Sequence, residues 1–71
     1  MEHCTFTGEY IQLNQLLKKE NIATSGGDAR MMIEQGMVKV NHETAHEIRK
    51  KLHSGDIVEV EGFGEFQLEA K

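Results

Sequence analysis

The spacing of apolar residues changes along this chain from the repeat of a helix to the repeat of a strand. Two triplets have the i, i+3, i+4 spacing that puts side chains on one helix face. They are Leu13, Leu16, Leu17 and Ala29, Met32, Ile33. Three later pairs alternate with polar residues, as in a half-buried strand. They are Val38 and Val40, Val58 and Val60, and Phe66 and Leu68. This order predicts an α+β fold, with two short helices packed on a small sheet.

The ends of the second helix are marked by residues with capping chemistry. Ser25 is the predicted N-cap, and Asp28 follows three positions later, as in a capping box. Gly36 is suited to end the helix in a left-handed turn. Asn14 is the predicted cap of the first helix.

Strand signals occur near both ends of the chain, and one segment between them is ambiguous. "TFTGEYI" predicts a short strand interrupted at Gly8, and Gly62 and Gly64 predict a hairpin turn. The segment "ETAHEIRKKLHSG" has apolar residues at helical spacing. It also fits a short strand near Thr44 followed by an irregular basic loop, and the pattern alone does not decide between the two.

Size and composition restrict the classes of function. Seventy-one residues predict a single domain spanning 1–71, too small for a deep catalytic cleft, so we expect no enzyme and no cofactor. We expect no membrane partner, because no apolar run reaches the roughly 20 residues of a membrane span. "MEHCTFTGEY" lacks the pattern of a secretory signal, and Cys4 is the only cysteine. These features together predict a cytoplasmic protein.

The charge of the chain is unevenly distributed. The formal net charge is −4, which on its own argues against a nucleic-acid partner. Yet residues 30–53 hold five cations against three acids, whereas the rest of the chain holds three cations against nine acids. A protein with this pattern can attract an anion at one face while its overall charge is negative.

An ordered set of short motifs resembles a known family. "LNQLLKKENIATSGGDARMMIEQGMVKVN" and then "LHSGDIVEV" resemble the RNA-binding domain first recognised in small-subunit ribosomal protein four. The matching residues are Leu13, Ser25, Ala29, Arg30, Ile33, Gly36, Val38, Val40, Asn41, Gly55, Asp56 and Ile57. The Gly26-Gly27 pair is most similar to the short free-standing bacterial members. The resemblance implies two helices on a small, bent antiparallel sheet, and it favours the strand-and-loop reading of residues 43–53.

The resemblance also implies a function. Domains of this family are non-catalytic modules that bind structured RNA, such as ribosomal RNA or tRNA, through a basic face. In this sequence the implied RNA-binding residues are Arg30, Lys39, Arg49, Lys50, Lys51, Ser25, Gly26, Gly27 and Asn41. Their convergence is implied by the family geometry and not by their spacing. Lysine offers a phosphate a point charge and arginine a bidentate fork.

Other readings of the same residues remain open at this stage. Arg30 can pair with Glu34 one helical turn away, and Lys39 can simply be the solvent side of a strand. His42 and His46 have zinc-ligand spacing on a helix, and Glu43 or Glu47 could be a third ligand, but a structural context is also needed and we expect no metal. A competing function is a protein-binding adaptor, in which an acidic terminal hairpin docks a ribosomal or RNA-processing protein. We expect a monomer in either case.

Overall fold

The computed structural model describes residues 2–71, in which two helices and seven short strands share one core. In chain order these elements are β1 (Glu2–Phe6), β2 (Ile11–Gln12), α1 (Leu13–Lys19), α2 (Gly26–Glu34), β3 (Val38–Val40), β4 (Glu43–Thr44), β5 (Lys51–Leu52), β6 (Ile57–Val60) and β7 (Gly64–Ala70). The α+β prediction is confirmed. The open segment at residues 43–53 forms two short strands joined by a loop at residues 45–50.

The main sheet has the strand order β1-β7-β6-β3-β4. The pairs from β7 to β4 are antiparallel, and the predicted turn at Gly62 and Gly64 joins β6 to β7. β1 adds a parallel pairing, with Cys4 opposite Leu68, so the sheet is mixed and not wholly antiparallel. β2 and β5 form a separate antiparallel pair, in which Ile11 lies opposite Leu52.

The core contains the apolar residues that the two periodicities select. Every member of the two helical triplets and of the three strand pairs is buried. Lys39, between Val38 and Val40, is exposed, as the alternation predicts. Each fully buried leucine or valine contributes about 1.5–3 kcal/mol relative to an exposed one. No helix within residues 2–71 combines the length and the apolar character needed to cross a membrane.

The two helices begin differently. Ser25 caps α2 as predicted, because its Oγ accepts a hydrogen bond from the Asp28 amide at 3.1 Å. Gly36 follows the C-terminal end of α2 with φ +76°, also as predicted. The prediction that Asn14 caps the first helix is wrong. α1 begins two residues earlier, with Gln12 as its N-cap, and Asn14 lies inside its first turn.

Candidate nucleic-acid interface

A groove of about 500 Å³ lies where the first turns of both helices meet the loop at residues 45–50. It is lined by Asn14, Gly26, Gly27, Arg30, Ile48 and Arg49, and we call it the arginine groove. Among these lining residues the charged ones are both arginines. Four of the residues predicted to bind RNA are therefore brought together here.

Backbone hydrogen bonds hold the loop at residues 45–50 against α1. The Leu13 amide donates to the Lys50 carbonyl at 2.9 Å, and the Asn14 amide donates to the Ile48 carbonyl at 3.1 Å. The first amides of a helix have no partner within the helix, so the loop supplies the acceptors that α1 lacks. Arg49 lies between these two anchored carbonyls, and its backbone is fixed at the rim of the groove.

Arg30 reaches the same groove from α2. It follows the buried Ala29, and its own side chain is exposed. Its Nε lies 3.6 Å from Glu34 Oε1, so the helical ion pair is formed. Both side chains are more than half exposed, and exposed pairs of this kind contribute only about 0.3–0.5 kcal/mol. A phosphate can therefore displace Glu34 at little cost.

Gly26 and Gly27 open the first turn of α2, and nothing in the described protein requires either to be glycine. Neither has a positive φ. Among the described residues, a Cβ on Gly26 would meet no atom within 4 Å, and one on Gly27 would meet only Ser25 Oγ, at 3.9 Å. Glycine in a helix is about 1 kcal/mol less favourable than alanine. The missing side chains leave the backbone at the positive end of α2 open to the groove.

Ser25 and Asp28 complete this helix start without lining the groove. The Ser25 hydroxyl is engaged as the cap. The Asp28 carboxylate accepts hydrogen bonds from the amide and the hydroxyl of Thr24, each at 3.1 Å. The one acidic group in the first turn of α2 is thus held by hydrogen bonds to the residue that precedes the cap.

The two lysines that follow Arg49 have different surroundings. Lys50 is half-buried and lines a small pocket of about 150 Å³ with Glu43, His46 and Glu47. Lys51, on β5, is exposed, and its Nζ lies 4.9 Å from the centroid of the Tyr10 ring, a cation–π contact. The three consecutive cations therefore line three neighbouring surfaces and not one.

Lys39 lies in a second groove, of about 600 Å³, which we call the acidic groove. It is lined by Gly36, Met37, Lys39, Glu59, Val60, Glu61, Gly62, Gly64 and Glu65. Lys39 is directly opposite Glu59 across the β3–β6 pair. Gly26 and Gly27 begin α2 whereas Gly36 follows its end, so the two grooves lie at opposite ends of this helix. The fold does not bring Lys39 together with Arg30 and Arg49.

Asn41 is engaged within the protein. Its Nδ2 donates to Asp56 Oδ1 at 3.1 Å, and its Oδ1 accepts from the Ile57 amide at 3.0 Å. Asn41 and His42 both have positive φ, +50° and +72°, as a two-residue type I′ hairpin requires. The side-chain amide thus ties the β3–β4 turn to the start of β6.

His42 and Cys4 each have an acidic neighbour within the protein. Within residues 2–71, no three His, Cys, Asp or Glu side chains are grouped as a metal site needs. His42 Nδ1 lies 2.8 Å from Glu59 Oε1. Burial, reinforced by the nearby Glu20 carboxylate, raises the pKa of the Cys4 thiol to about 12, so Cys4 is not a nucleophile at neutral pH.

Sequence reasoning missed three residues near these surfaces. Asn14 was read as a helix cap, but it lines the arginine groove, and its Oδ1 is buried without a hydrogen-bond partner among the described residues. Ile48 lies in the "ETAHEIRKKLHSG" segment, whose pattern does not predict that it lines this groove. Tyr10 lies in the "TFTGEYI" segment that predicts a strand, and its side chain is 39% exposed. Its place beside the charged "RKK" run depends on strand pairing, which no local pattern signals.

Comparison with known proteins gives two matches. The family model described as S4 domain matches residues 4–68, which include the whole of the arginine groove. A Bacillus subtilis (strain 168) protein named "Probable ribosome maturation protein RlbA" is 43% identical over 60 residues, which cover 84% of each chain. The resemblance drawn from the motifs is confirmed, over more of the chain than the motifs themselves cover.

Proposed function

This chain belongs to the S4-domain family, and on that premise we propose that it is a non-catalytic module that binds structured RNA through the arginine groove. Because the relative from Bacillus subtilis is named for ribosome maturation, we further propose that the RNA is ribosomal and that the protein acts in the cytoplasm during ribosome assembly.

The observation that carries this proposal is the composition of the groove. Two arginines and two glycines without a structural requirement line one groove at the first turns of the helices. One guanidinium group can donate hydrogen bonds to two oxygens of a phosphate, and backbone amides at a helix N-terminus bind anions. A-form RNA hides its base edges in a narrow groove, so proteins recognise its phosphates, its 2′-hydroxyls and its shape. A groove with these donors fits the backbone of a folded RNA.

The separation of charge along α2 supports binding despite the net charge of −4. The arginine groove lies at the start of this nine-residue helix and the acidic groove at its end, about 13 Å away along the axis. The helix dipole has the same sense as the side-chain charges, positive at the arginine groove. An approaching RNA would therefore be oriented with the acidic groove facing away from it.

Charge reversal tests the proposal. We expect the wild-type protein to bind fragments of ribosomal RNA in a gel-shift titration, and the Arg30→Glu/Arg49→Glu variant to lose that binding. The matched control is Lys18→Glu/Lys71→Glu, which changes the net charge equally but alters exposed lysines that do not line the groove. Equal losses for the two variants would show that the groove is not the binding site.

The acidic groove favours a second candidate function, the docking of a basic ribosomal or RNA-processing protein. Glu59, Glu61 and Glu65 line it, and Phe63 is half exposed in the turn beside it. A basic partner with an apolar anchor would fit such a surface. Partner capture that survives nuclease treatment and is lost in Glu61→Lys/Glu65→Lys supports this function; capture that depends on intact RNA contradicts it.

A further inference from the structure

Tyr10 is an exposed aromatic residue with cationic neighbours. Its side chain is 39% exposed. The Lys51 ammonium lies 4.9 Å from its ring centroid, and the His53 ring lies 6.5 Å away at an angle of 52°. On another side, Tyr10 borders a hollow of about 320 Å³ that is also lined by Phe6, Thr7, Ile11, Gln15 and Lys19.

Strand pairing fixes this arrangement. Gln12 lies opposite Lys51 and Ile11 opposite Leu52, so the same register brings Tyr10 opposite His53. Ile11 and Leu52 pack with the core, whereas Tyr10 does not belong to the core cluster. The fold thus holds an aromatic ring at the surface without using it for packing.

We propose that Tyr10 and His53 form a stacking site for an unpaired base of the bound RNA, with Lys51 contacting the phosphate of the same nucleotide. This inference rests on the proposed function and names the part of the RNA that the protein reads. Unpaired bases in loops and bulges can leave the helix and stack on aromatic side chains, whereas paired bases cannot.

The chain path connects this site to the arginine groove. Arg49 lines the groove and Lys51 contacts Tyr10, with one residue between them. That residue, Lys50, is anchored through its carbonyl to the Leu13 amide. The chain thus links the two sites through three consecutive residues, which lets an RNA bound in the groove extend an adjoining loop or bulge toward Tyr10.

The charges around Tyr10 agree with a nucleotide. The charged groups that contact Tyr10 or line its hollow are Lys19 and Lys51. The neighbouring Asp56 carboxylate already accepts hydrogen bonds from the His53 amide at 2.8 Å and from Asn41 at 3.1 Å.

The composition of the chain allows a direct test. Tyr10 is the only tyrosine and the chain has no tryptophan, so its intrinsic fluorescence reports from this site alone. The probes are an RNA hairpin with a loop of adenosines and the same hairpin with abasic loop nucleotides, which keeps every phosphate. We expect the adenosine loop to quench the fluorescence and the abasic loop to leave it nearly unchanged.

Affinity measurements supply the second readout. We expect Tyr10→Leu to weaken binding of the adenosine-loop hairpin by about 5- to 150-fold, the range of base–aromatic stacking, and to leave the abasic hairpin unaffected. Tyr10→Phe should retain most of the affinity, and His53→Ala should lose part of it with the same selectivity. Thermal unfolding by circular dichroism checks that each variant is folded at the assay temperature.

The outcomes separate this inference from the function on which it rests. Equal quenching by both hairpins, or equal losses of affinity for both in Tyr10→Leu, would overturn the stacking site. If Arg30→Glu/Arg49→Glu abolishes binding of both hairpins while Tyr10→Leu changes the affinity for neither, the arginine groove is supported as the RNA-binding site and the stacking site is excluded. If the wild-type protein binds neither hairpin nor ribosomal RNA fragments, both proposals fail.

Discussion

Arg30 of α2 and Arg49 of the loop between β4 and β5 line the same groove, although they come from distant parts of the chain. Two side chains that hold one stretch of RNA should not contribute independently to its binding. We expect a double-mutant cycle with Arg30→Ala and Arg49→Ala to give a coupling free energy of about 0.5–3 kcal/mol in RNA affinity. Titrations of the wild type, both single variants and the double variant measure it.

Lys39 provides the matched control for this cycle. It carries the same charge but lies in the acidic groove, at the other end of α2. Lys39→Ala should therefore combine additively with Arg30→Ala, within about 0.3–0.5 kcal/mol. The predicted role of Lys39 in RNA binding remains a prediction. Strong coupling between Lys39 and Arg30 would mean that the RNA spans both ends of the helix.

Substitution of the glycines at the start of α2 should affect stability and binding in opposite directions. A Cβ at Gly26 or Gly27 has room within the protein. Gly26→Ala and Gly27→Ala should each stabilise the fold by about 0.5–1 kcal/mol, because alanine loses less backbone freedom on folding. The added methyl groups would project where the RNA backbone approaches, so RNA affinity should fall.

Urea denaturation and RNA titration of the same two variants measure both effects. Gln35→Ala, at the C-terminal cap of α2, serves as a control on the same helix away from the groove. It should leave RNA affinity unchanged. If both glycine variants bind RNA as well as the wild type does, close approach of the RNA backbone to the start of α2 is excluded.

Local patterns predicted those parts of the fold that depend on neighbouring residues. The Ser25 cap and the turn at Gly36 are set by residues within a few positions of each other, and both were predicted correctly. The start of α1 was not predicted correctly, because the first amides of this helix donate hydrogen bonds to the carbonyls of Ile48 and Lys50. Those acceptors come from a segment more than 30 residues away, and a pattern around Asn14 carries no information about them.

The candidate site likewise has features that the sequence predicts and features that depend on distant segments. The cluster of cations was visible in the sequence, but its partition between surfaces was not. Lys39 joins the acidic groove because the register of β3 and β6 places it opposite Glu59. Tyr10 reaches Lys51 because β2 pairs with β5. Both outcomes depend on which strands pair, and pairing between short strands is decided by the whole core.

Salt dependence should report the number of phosphate contacts. Four or five contacts, each with a slope of about −0.7 to −0.9, give a slope of about −3 to −4.5 in a plot of log K against log salt concentration. The Arg30→Ala/Arg49→Ala variant should lose about 1.4–1.8 of that slope, if it retains measurable binding. Affinity that does not change with salt would contradict binding through phosphates.

Two adjacent residues in the β3–β4 turn should respond oppositely to the same substitution. Asn41 and His42 both have positive φ, which glycine adopts without strain. His42→Gly removes roughly 1 kcal/mol of backbone strain and loses only the contact of the exposed His42 ring with the partly buried Glu59, so it should stabilise the protein. Asn41→Gly also removes the two hydrogen bonds that the Asn41 side chain makes with Asp56 and Ile57. Each contributes about 0.5–1.5 kcal/mol, so this substitution should destabilise the protein.

Urea denaturation compares the two turn variants. RNA affinity of Asn41→Gly, measured where the protein is fully folded, then tests the RNA contact that the family resemblance implies for this residue. Because the Asn41 amide is engaged within the protein, we expect that affinity to be unchanged. A large loss of affinity in a folded Asn41→Gly would show that the amide turns toward the RNA on binding.

Cys4 should behave as a protonated thiol in the folded protein. Burial and the Glu20 carboxylate raise its pKa from 9.0 to about 12, so native Cys4 should react with iodoacetamide at pH 8 about a thousandfold more slowly than the urea-unfolded chain.

Because the folded state binds the Cys4 proton more tightly than the unfolded state does, the associated stability is present below pH 9 and is lost as the pH rises from 9 toward 12. The urea denaturation midpoint should therefore differ more between pH 8 and pH 10 in the wild type than in Cys4→Ala. The variant keeps every other titrating group and lacks only the thiol. Equal shifts in the two proteins, or equally rapid alkylation of the native and unfolded chains, would mean that the thiol at the β1–β7 pair is open to solvent.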